Sequence, residues 1–183
     1  MHQDINEILF TEEQLKNRVA EIGQAITEEY ADRSAAGEKI VLVSVLRGAA
    51  IFMADLAREI KLPLEMDYMA VSSYGNGVKS SGVVQILKDL SSPIEGTHVI
   101  VAEDVLDSGL TLEFLMENLE SRGAKSIAVV TLLRKKTRAQ ADITCLHVGF
   151  ECPDKFIVGY GLDYAERYRN LPYIGVLKPE VYE

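Results

Sequence analysis

The 183-residue sequence predicts an α/β fold in which a twisted, mainly parallel sheet is flanked by helices. Segments with the composition of strands alternate along the chain with segments of helical periodicity, which is the order of elements in such folds. The strand segments are continuous apolar runs, as expected of strands that helices cover on both faces. The length fits a single domain over residues 1–183, at roughly 150 residues per domain.

The first predicted element is an amphipathic helix over Thr11–Ala36. Thr11 and Gln14 have the form of a capping box at its start, and Gly37 supplies a stop after its end. The apolar residues of this segment recur at spacings of three and four and therefore share one face of the helix: Leu15, Val19, Ile22, Ile26 and Tyr30.

A strand, a helix and another strand are predicted next. The run KIVLVSVL at Lys39–Leu46 is rich in Val and Ile, which indicates a buried strand. Arg47-Gly48 ends this strand, Ala49–Ile60 has helical composition, and Leu64–Ser72 is a further strand.

The segment Ser73–Gly82, SYGNGVKSSG, is a predicted loop that leads to a strand at Val83–Leu87. One interpretation of the loop is a plain hairpin connection. A mobile lid is the other, because long irregular loops in compact domains often carry function.

The second half of the chain continues the alternation of strands and helices. The run HVIVAE predicts a strand at His98–Glu103, and Leu110–Ser121 predicts a helix with Gly123 after its end. Further strands are predicted at Ser126–Leu133, His147–Phe150, Phe156–Gly159 and Tyr173–Leu177.

Charge and composition exclude several classes of protein. The formal net charge of −9 disfavours a protein that coats nucleic acid or an anionic membrane. No apolar run approaches the roughly 20 residues that span a bilayer, and the N-terminus lacks the pattern of a signal peptide. Cys145 and Cys152 form no CxxC motif and indicate thiols in a reducing compartment. We therefore expect a cytoplasmic domain that binds neither nucleic acid nor membrane.

The residues that carry chemistry cluster in the segment Val99–Thr111, VIVAEDVLDSGLT. Ligands of open α/β sheets bind beyond the carboxyl ends of the strands, and Glu103 and Asp104 end a predicted buried strand. A loop with Gly and two hydroxyls then enters a helix, which presents backbone N–H groups to a phosphate. Asp107-Ser108 alone is more often a helix N-cap, and a Glu-Asp pair alone is a solvated strand end, but their combination indicates a binding site.

This segment resembles the phosphoribosyl-diphosphate (PRPP) motif of the type I phosphoribosyltransferases: four apolar residues, two acids, two apolar residues, then Asp-Ser/Thr-Gly-x-Thr. The acid pair and Asp107 are most similar to the 6-oxopurine branch of that family, the hypoxanthine-guanine phosphoribosyltransferases. Leu46-Arg47-Gly48 resembles its pyrophosphate loop, and Ser73-Tyr74 resembles the start of its flexible lid. Leu132–Thr137 and Phe150–Asp163, with Arg169 beyond, resemble its base-binding hood.

The resemblance implies a role for each matching residue of the PRPP motif. Glu103 and Asp104 would hydrogen-bond the ribose hydroxyls of PRPP, and Asp107 would be the general acid/base at N7 of the purine. Leu110 stands where some relatives carry Lys, so a positive charge is missing from the phosphate loop. That loop would hold the 5′-phosphate and consists of Ser108, Gly109, Leu110 and Thr111.

The resemblance also implies roles for residues outside that motif. Lys135 would donate to the 6-oxo group of the purine, Phe156 would stack on the base, and Ile157 would meet the edge of the base through its backbone. Backbone carbonyls around Ile157 and Asp163 would bind the 2-amino group of guanine. Asp163 would bind a magnesium ion shared with pyrophosphate, with the two acids of the PRPP motif as further carboxylates beside the metal. Arg169 would hold pyrophosphate together with the backbone of Leu46, Arg47 and Gly48, where a cis peptide bond is expected between Leu46 and Arg47.

The fold implied by the resemblance is the type I phosphoribosyltransferase fold, with a small hood formed by the N-terminal segment and roughly residues 150–183. The implied function is purine salvage: magnesium-dependent transfer of the phosphoribosyl group from PRPP to hypoxanthine or guanine, giving IMP or GMP and pyrophosphate. Further copies of the chain would be partners in a dimer or tetramer. Two alternatives stay open, a sister transferase that prefers xanthine and a PRPP-sensing regulator that binds nucleic acid. The net charge of −9 disfavours the regulator.

Overall fold

The computed structural model describes residues 1–73, 84–135 and 141–182 and arranges the strands in two sheets. The strands of the larger sheet are β2 (Ile40–Leu46), β3 (Glu65–Ser73), β4 (Val84–Lys88), β5 (His98–Leu106), β6 (Ser126–Arg134) and β7 (His147–Glu151). They lie in the order β4-β3-β2-β5-β6-β7. Every neighbouring pair is parallel except β3 with β4, which confirms the predicted, mainly parallel sheet.

A second, three-stranded antiparallel sheet joins the two ends of the described chain. Its strands are β1 (Ile5–Phe10), β8 (Ile157–Val158) and β9 (Ile174–Leu177), in the order β1-β9-β8. A 3-10 turn at His2–Asp4 precedes β1, and a one-turn helix α4 (Pro179–Tyr182) follows β9. Strand β1 was not predicted from the sequence. In the structure its residues do not alternate between buried and exposed, and two irregularities interrupt its pairing with β9, so it lacks the alternating pattern by which a strand is recognised.

Helices cover both faces of the larger sheet, as the apolar strands predict. The helices are α1 (Glu12–Ala35), α2 (Ala50–Glu59) and α3 (Leu110–Ser121). Leu42 of β2 belongs to the core under α1 and α2, whereas the next residue, Val43, belongs to the core under α3. The predicted capping box is confirmed, since Gln14 N donates to Thr11 Oγ1 at 3.3 Å and Thr11 N donates to Gln14 Oε1 at 2.8 Å.

Two predicted strands have different limits in the structure. Strand β5 runs on to Leu106, so Glu103 and Asp104 lie inside it, and the prediction that they end the strand was wrong. Backbone pairing with β6 continues past the two acids, because main-chain hydrogen bonds do not depend on side-chain charge. Strand β8 is limited to two residues, because Gly159 has a φ of 101° and leaves the extended conformation. The other predicted helices and strands agree with the structure to within one residue.

Part of the predicted loop and hood lies outside the described residues. Ser73 is the last residue of β3, and Tyr74, with the rest of the predicted lid, falls in the range 74–83 that is not described. Lys136 and Thr137 likewise lie outside the described residues. The hairpin and lid interpretations therefore both stay predictions. In the described ranges, no helix combines the length and apolar character that a membrane crossing requires.

A cluster of polar side chains lies at the end of the larger sheet where β2, β5 and β6 begin. His98, the first residue of β5, is buried, with Nδ1 2.6 Å from Ser126 Oγ of β6 and Nε2 2.5 Å from Glu38 Oε2. Lys125 Nζ donates to the other carboxylate oxygen of Glu38 at 2.5 Å. The cluster therefore ties the starts of three parallel strands together.

Candidate active site

A cavity of about 670 Å³ lies at the opposite edge of the sheet, where β5 and β6 end. Its walls come from both sheets, since residues after β5 and β6 face residues of β8 and β9 and the segment between them. The described lining includes seven of the residues expected to form the site: Asp104, Asp107, Lys135, Phe156, Ile157, Asp163 and Arg169. It does not include Glu103 or the loop 108–111, which adjoin it in the chain.

The phosphate loop enters α3 at an N-cap residue that makes no side-chain cap hydrogen bond. Gly109, at a φ of 82°, is the N-cap residue, so the alternative that Asp107-Ser108 is an ordinary N-cap is wrong. Ala141, in the segment before β7, stabilises the loop, since its backbone N donates to Ser108 O at 3.0 Å. Backbone N–H groups at an uncapped helix start bind phosphate well, because the helix dipole adds positive potential there.

The two acids of β5 differ in their surroundings, because consecutive strand residues point to opposite sides of a sheet. Asp104 lines the cavity, and its Oδ1 accepts from Val105 N at 2.7 Å. Glu103 Oε2 is closed to solvent and has no hydrogen-bond partner among the described residues. Burial and then the charge of Asp104 raise the pKa of Glu103 well above its usual range. Burial also raises the pKa of Asp104; the nearby charge of Asp163 adds to the effect, whereas the Val105 amide and Arg169 oppose it.

The turn after β2 packs directly against Asp104. The Leu46–Arg47 peptide bond is cis, which confirms the expectation from the sequence. A Cβ added at Gly48 would lie only 1.7 Å from Asp104 Oδ2, and one added at Gly161 would lie 2.1 Å from Gly48 O. The expected pyrophosphate loop, an acid of the PRPP motif and the segment after β8 therefore meet at one point.

An ion-pair network connects this turn to Arg169. Arg169 Nη2 lies 2.7 Å from Asp163 Oδ1, and Arg169 Nη1 donates to Gly161 O at 2.8 Å. Glu166 Oε2 accepts from Arg47 Nη1 at 2.9 Å and lies 3.4 Å from Arg169 Nη2. The sequence did not single out Glu166; its place between Asp163 and Arg169 in the chain is the one signal that could have done so.

Lys135 and Phe156 lie at the other end of the cavity. Lys135 is buried, with Nζ donating to Lys155 O at 3.2 Å and lying 3.8 Å from Asp154 Oδ1. The exposed ring of Phe156 stacks on Tyr182 of α4, with centroids 4.8 Å apart, and meets Tyr164 edge-on at 5.5 Å. No sequence pattern pointed to Tyr182, because α4 is too short to show a periodicity.

Comparisons with known proteins show the family to which the chain belongs. Residues 11–165 match the family model described as a phosphoribosyl transferase domain. The hypoxanthine-guanine phosphoribosyltransferase of Bacillus subtilis is 54% identical over 183 residues, which cover 100% of this chain and 99% of the relative. This chain belongs to the hypoxanthine-guanine phosphoribosyltransferase family.

Another member of the hypoxanthine-guanine phosphoribosyltransferase family, from Mycobacterium tuberculosis, is 51% identical over 181 residues, covering 98% of this chain and 90% of the relative. A crystal structure of a hypoxanthine phosphoribosyltransferase from Staphylococcus aureus superposes with a TM-score of 0.94 at 50% identity. The superposition covers 100% of this chain and 97% of the other. The type I phosphoribosyltransferase fold expected from the sequence is thereby confirmed.

Proposed function

We propose that this phosphoribosyltransferase acts in purine salvage and transfers the phosphoribosyl group of PRPP to hypoxanthine or guanine, giving IMP or GMP and pyrophosphate. One observation carries the proposal: Asp104 of β5, Asp107 in the bend before α3 and the buried Lys135 line the same cavity, which is large enough for a nucleotide. Each of the three matches the chemistry of one part of the two substrates.

The loop at α3 and the acids of β5 account for the handling of the sugar. The amides and hydroxyls of Ser108, Gly109, Leu110 and Thr111 would hold the 5′-phosphate, largely through the backbone. Leu110, which stands where some relatives carry Lys, therefore removes one positive charge but leaves the backbone N–H groups that bind the phosphate. Glu103 and Asp104 would bind the ribose hydroxyls. Positive charge builds on C1 as pyrophosphate departs, as in glycosyl transfer, and carboxylates beside the ribose stabilise that charge.

Asp107 is suited to the proton transfer. It follows β5 in the bend before α3 and lines the cavity together with Lys135. As purine N9 bonds to C1, N7 loses its proton, and the Asp107 carboxylate would accept it. The same group would return the proton in the reverse reaction.

The carboxylates also fit a magnesium ion. Burial raises the pKa of Asp104, and the charge of Asp163 adds to the effect; a cation beside both carboxylates would relieve their mutual repulsion. No cluster of three His, Cys, Asp or Glu side chains within the described ranges could hold a metal by itself. Magnesium needs only one or two carboxylates when substrate phosphates supply further oxygens. Asp163 and Asp104 would hold the ion, with Glu103 behind them; when bound, it supplies charge neutralisation for pyrophosphate.

The remaining residues would bind pyrophosphate and the base. Arg169 and the turn Leu46-Arg47-Gly48 would hold pyrophosphate. Phe156 would stack on the purine, and the Ile157 backbone would meet its edge. Lys135 has donors and no acceptor, so it would pair with the 6-oxo group of hypoxanthine or guanine but not with the 6-amino group of adenine.

Steady-state kinetics with PRPP, magnesium and four bases tests this function. We expect kcat/KM for hypoxanthine and guanine to exceed the values for xanthine and adenine. Two facing donors lose about 1–3 kcal/mol for each missing partner, which disfavours adenine. Lys135→Ala should depress the rates with hypoxanthine and guanine most. Efficient use of adenine by the wild type would contradict the role of Lys135.

Three further expectations belong to this proposal. Strands β1, β8 and β9 would form the hood over the cavity, whereas the lid expected from Ser73-Tyr74 onwards falls outside the described residues. The chain would assemble as a dimer or tetramer, which sedimentation equilibrium tests. A cytoplasmic location stays a prediction from the sequence.

A further inference from the structure

Glu166 bridges the side chain of Arg169 and that of Arg47, which lies in the turn proposed to hold pyrophosphate. Its Oε2 accepts from Arg47 Nη1 at 2.9 Å and lies 3.4 Å from Arg169 Nη2. Arg47 comes from the turn after β2, whereas Arg169 lies between β8 and β9, so one carboxylate oxygen joins two separate parts of the fold. No proposed step of the reaction uses this carboxylate.

The backbone conformation around Glu166 places its side chain next to Arg47 and Arg169. Glu166 is one of two central residues in a tight turn, where Tyr164 and Arg167 bond each other through N–H···O distances of 3.2 and 3.0 Å. Both central residues are left-handed, with φ values of 49° at Ala165 and 62° at Glu166. Residues other than Gly hold such values when the surroundings impose them. Glu166 N also donates to Asp163 Oδ2 at 3.0 Å, which anchors the turn to the site.

Arg169 would remain oriented without Glu166. Its Nη1 is held by Gly161 O at 2.8 Å and its Nη2 by Asp163 at 2.7 Å, so the longer contact with Glu166 adds little to its position. The pair of Glu166 with Arg47 is open to solvent, with 58% and 68% of the two side chains exposed. Glu166 is therefore dispensable for placing Arg169, yet its negative charge sits against both guanidinium groups.

A carboxylate and a phosphate bind guanidinium groups through the same paired hydrogen bonds. We propose that Glu166 is a built-in competitor of pyrophosphate, whose carboxylate contends with the pyrophosphate of PRPP, and with released pyrophosphate, for Arg47 and Arg169. This inference rests on the proposed function. Its consequence is weaker retention of product pyrophosphate, at the cost of a higher KM for PRPP.

The variant Glu166→Gln tests the inference, because it keeps the length and shape of the side chain and removes its charge. We expect the KM for PRPP and the inhibition constant of pyrophosphate to fall roughly two- to five-fold, the range for one exposed ion pair. The KM for hypoxanthine should not change. Glu120→Gln, at the exposed far end of α3, makes the same change of net charge and should leave all three constants unchanged.

A second comparison ties the effect to Arg47. In an Arg47→Ala background, Glu166→Gln should lower the inhibition constant of pyrophosphate by less than in the wild type, because interacting residues are not additive. Tighter binding cannot arise from a partly unfolded variant. An unchanged or raised KM for PRPP in Glu166→Gln would overturn the inference and would instead make Glu166 a residue that positions the arginines.

The inference and the proposed function can fail separately. If the wild type transferred no phosphoribosyl group to any purine, the proposed function would fail. Calorimetric titration of wild type and Glu166→Gln with magnesium pyrophosphate would still measure the competition directly. Equal dissociation constants for the two proteins would then reject the inference.

Discussion

Asp107 occupies the bend between β5 and α3 and faces a cavity that Lys135 also lines. In Asp107→Asn the amide keeps the shape of the side chain and cannot accept the proton from N7. We expect kcat to fall by roughly 10²–10⁴-fold, the usual contribution of a positioned acid/base group, with little change in the KM for PRPP. Steady-state kinetics checks this, with the exposed Asp142→Asn as control. Turnover near the wild-type rate would remove Asp107 from the mechanism.

Glu103 carries a cost in stability that should depend on pH. Burial and the adjacent charge of Asp104 raise the pKa of Glu103 above its ordinary value of 4.5, so the folded state holds the proton more tightly than the unfolded state. Folding is therefore penalised at pH values above the raised pKa. The penalty shrinks as the pH falls through that pKa and is absent below 4.5, where both states are protonated.

We expect Glu103→Gln, which resembles the protonated acid, to melt at a higher temperature than the wild type at pH 7–8. Each kcal/mol regained should raise Tm by about 2–4 °C for a chain of this size. The two melting temperatures should converge near pH 4. Differential scanning calorimetry across this pH range measures the difference, and Glu120→Gln controls for net charge. If the melting temperature of Glu103→Gln exceeded that of the wild type by the same amount at low pH, the ionisation of Glu103 would not be the cause of the difference.

At the scale of elements, the cluster around His98 holds the starts of β2, β5 and β6. His98→Ala leaves Ser126 Oγ and Glu38 Oε2 without their partner in the cluster. We expect the free energy of unfolding to fall by roughly 1–3 kcal/mol, measured in urea. The kinetic constants should not change, because the cavity lies at the opposite edge of the sheet. A changed KM with unchanged stability would show that the two edges are coupled.

The elements that could be predicted are those with a local signal. The stripe of α1 and its capping box are complete within the segment itself, and all five predicted stripe residues are buried. Strand β1 has no such signal, because its partner β9 lies at the other end of the chain and none of its own residues is buried. The end of β5 was misjudged because pairing with β6, a long-range contact, decides where it stops.

The candidate site also has one part that could be predicted from a local sequence signal and another that depends on long-range contacts. The PRPP motif lies in one continuous segment, so its chemistry could be inferred from the sequence and its family resemblance. The contacts of Glu166 with Arg47 depend on a left-handed turn and on a neighbour from another part of the chain. The stacking of Tyr182 on Phe156 depends on the path of the last strand. These features follow from tertiary packing and leave no pattern in the sequence.

On the scale of the whole molecule, the cavity joins the two sheets, so a bound nucleotide should hold them together. Product IMP at a concentration 100-fold above its Kd contributes about 2.7 kcal/mol, which corresponds to a rise in Tm of roughly 5–10 °C. Differential scanning fluorimetry measures the rise. AMP at the same concentration should give a much smaller one, because its 6-amino group opposes Lys135. Equal shifts with IMP and AMP would indicate that the protein recognises only the ribose phosphate.

The contact between Gly48, Asp104 and Gly161 affects how natural variants of this chain should be interpreted. Neither glycine has a side chain that could act in the site, yet a single added methyl at either position would overlap an atom of the site, the Asp104 carboxylate or the carbonyl of Gly48. At Gly37, by contrast, an added methyl would meet no atom within 4 Å. In a survey of alleles, changes at positions 48 and 161 would therefore score as losses of enzyme activity. Such alleles would identify the place where the turn after β2 must pack against β5 and the segment after β8, not residues whose side chains take part in the chemistry.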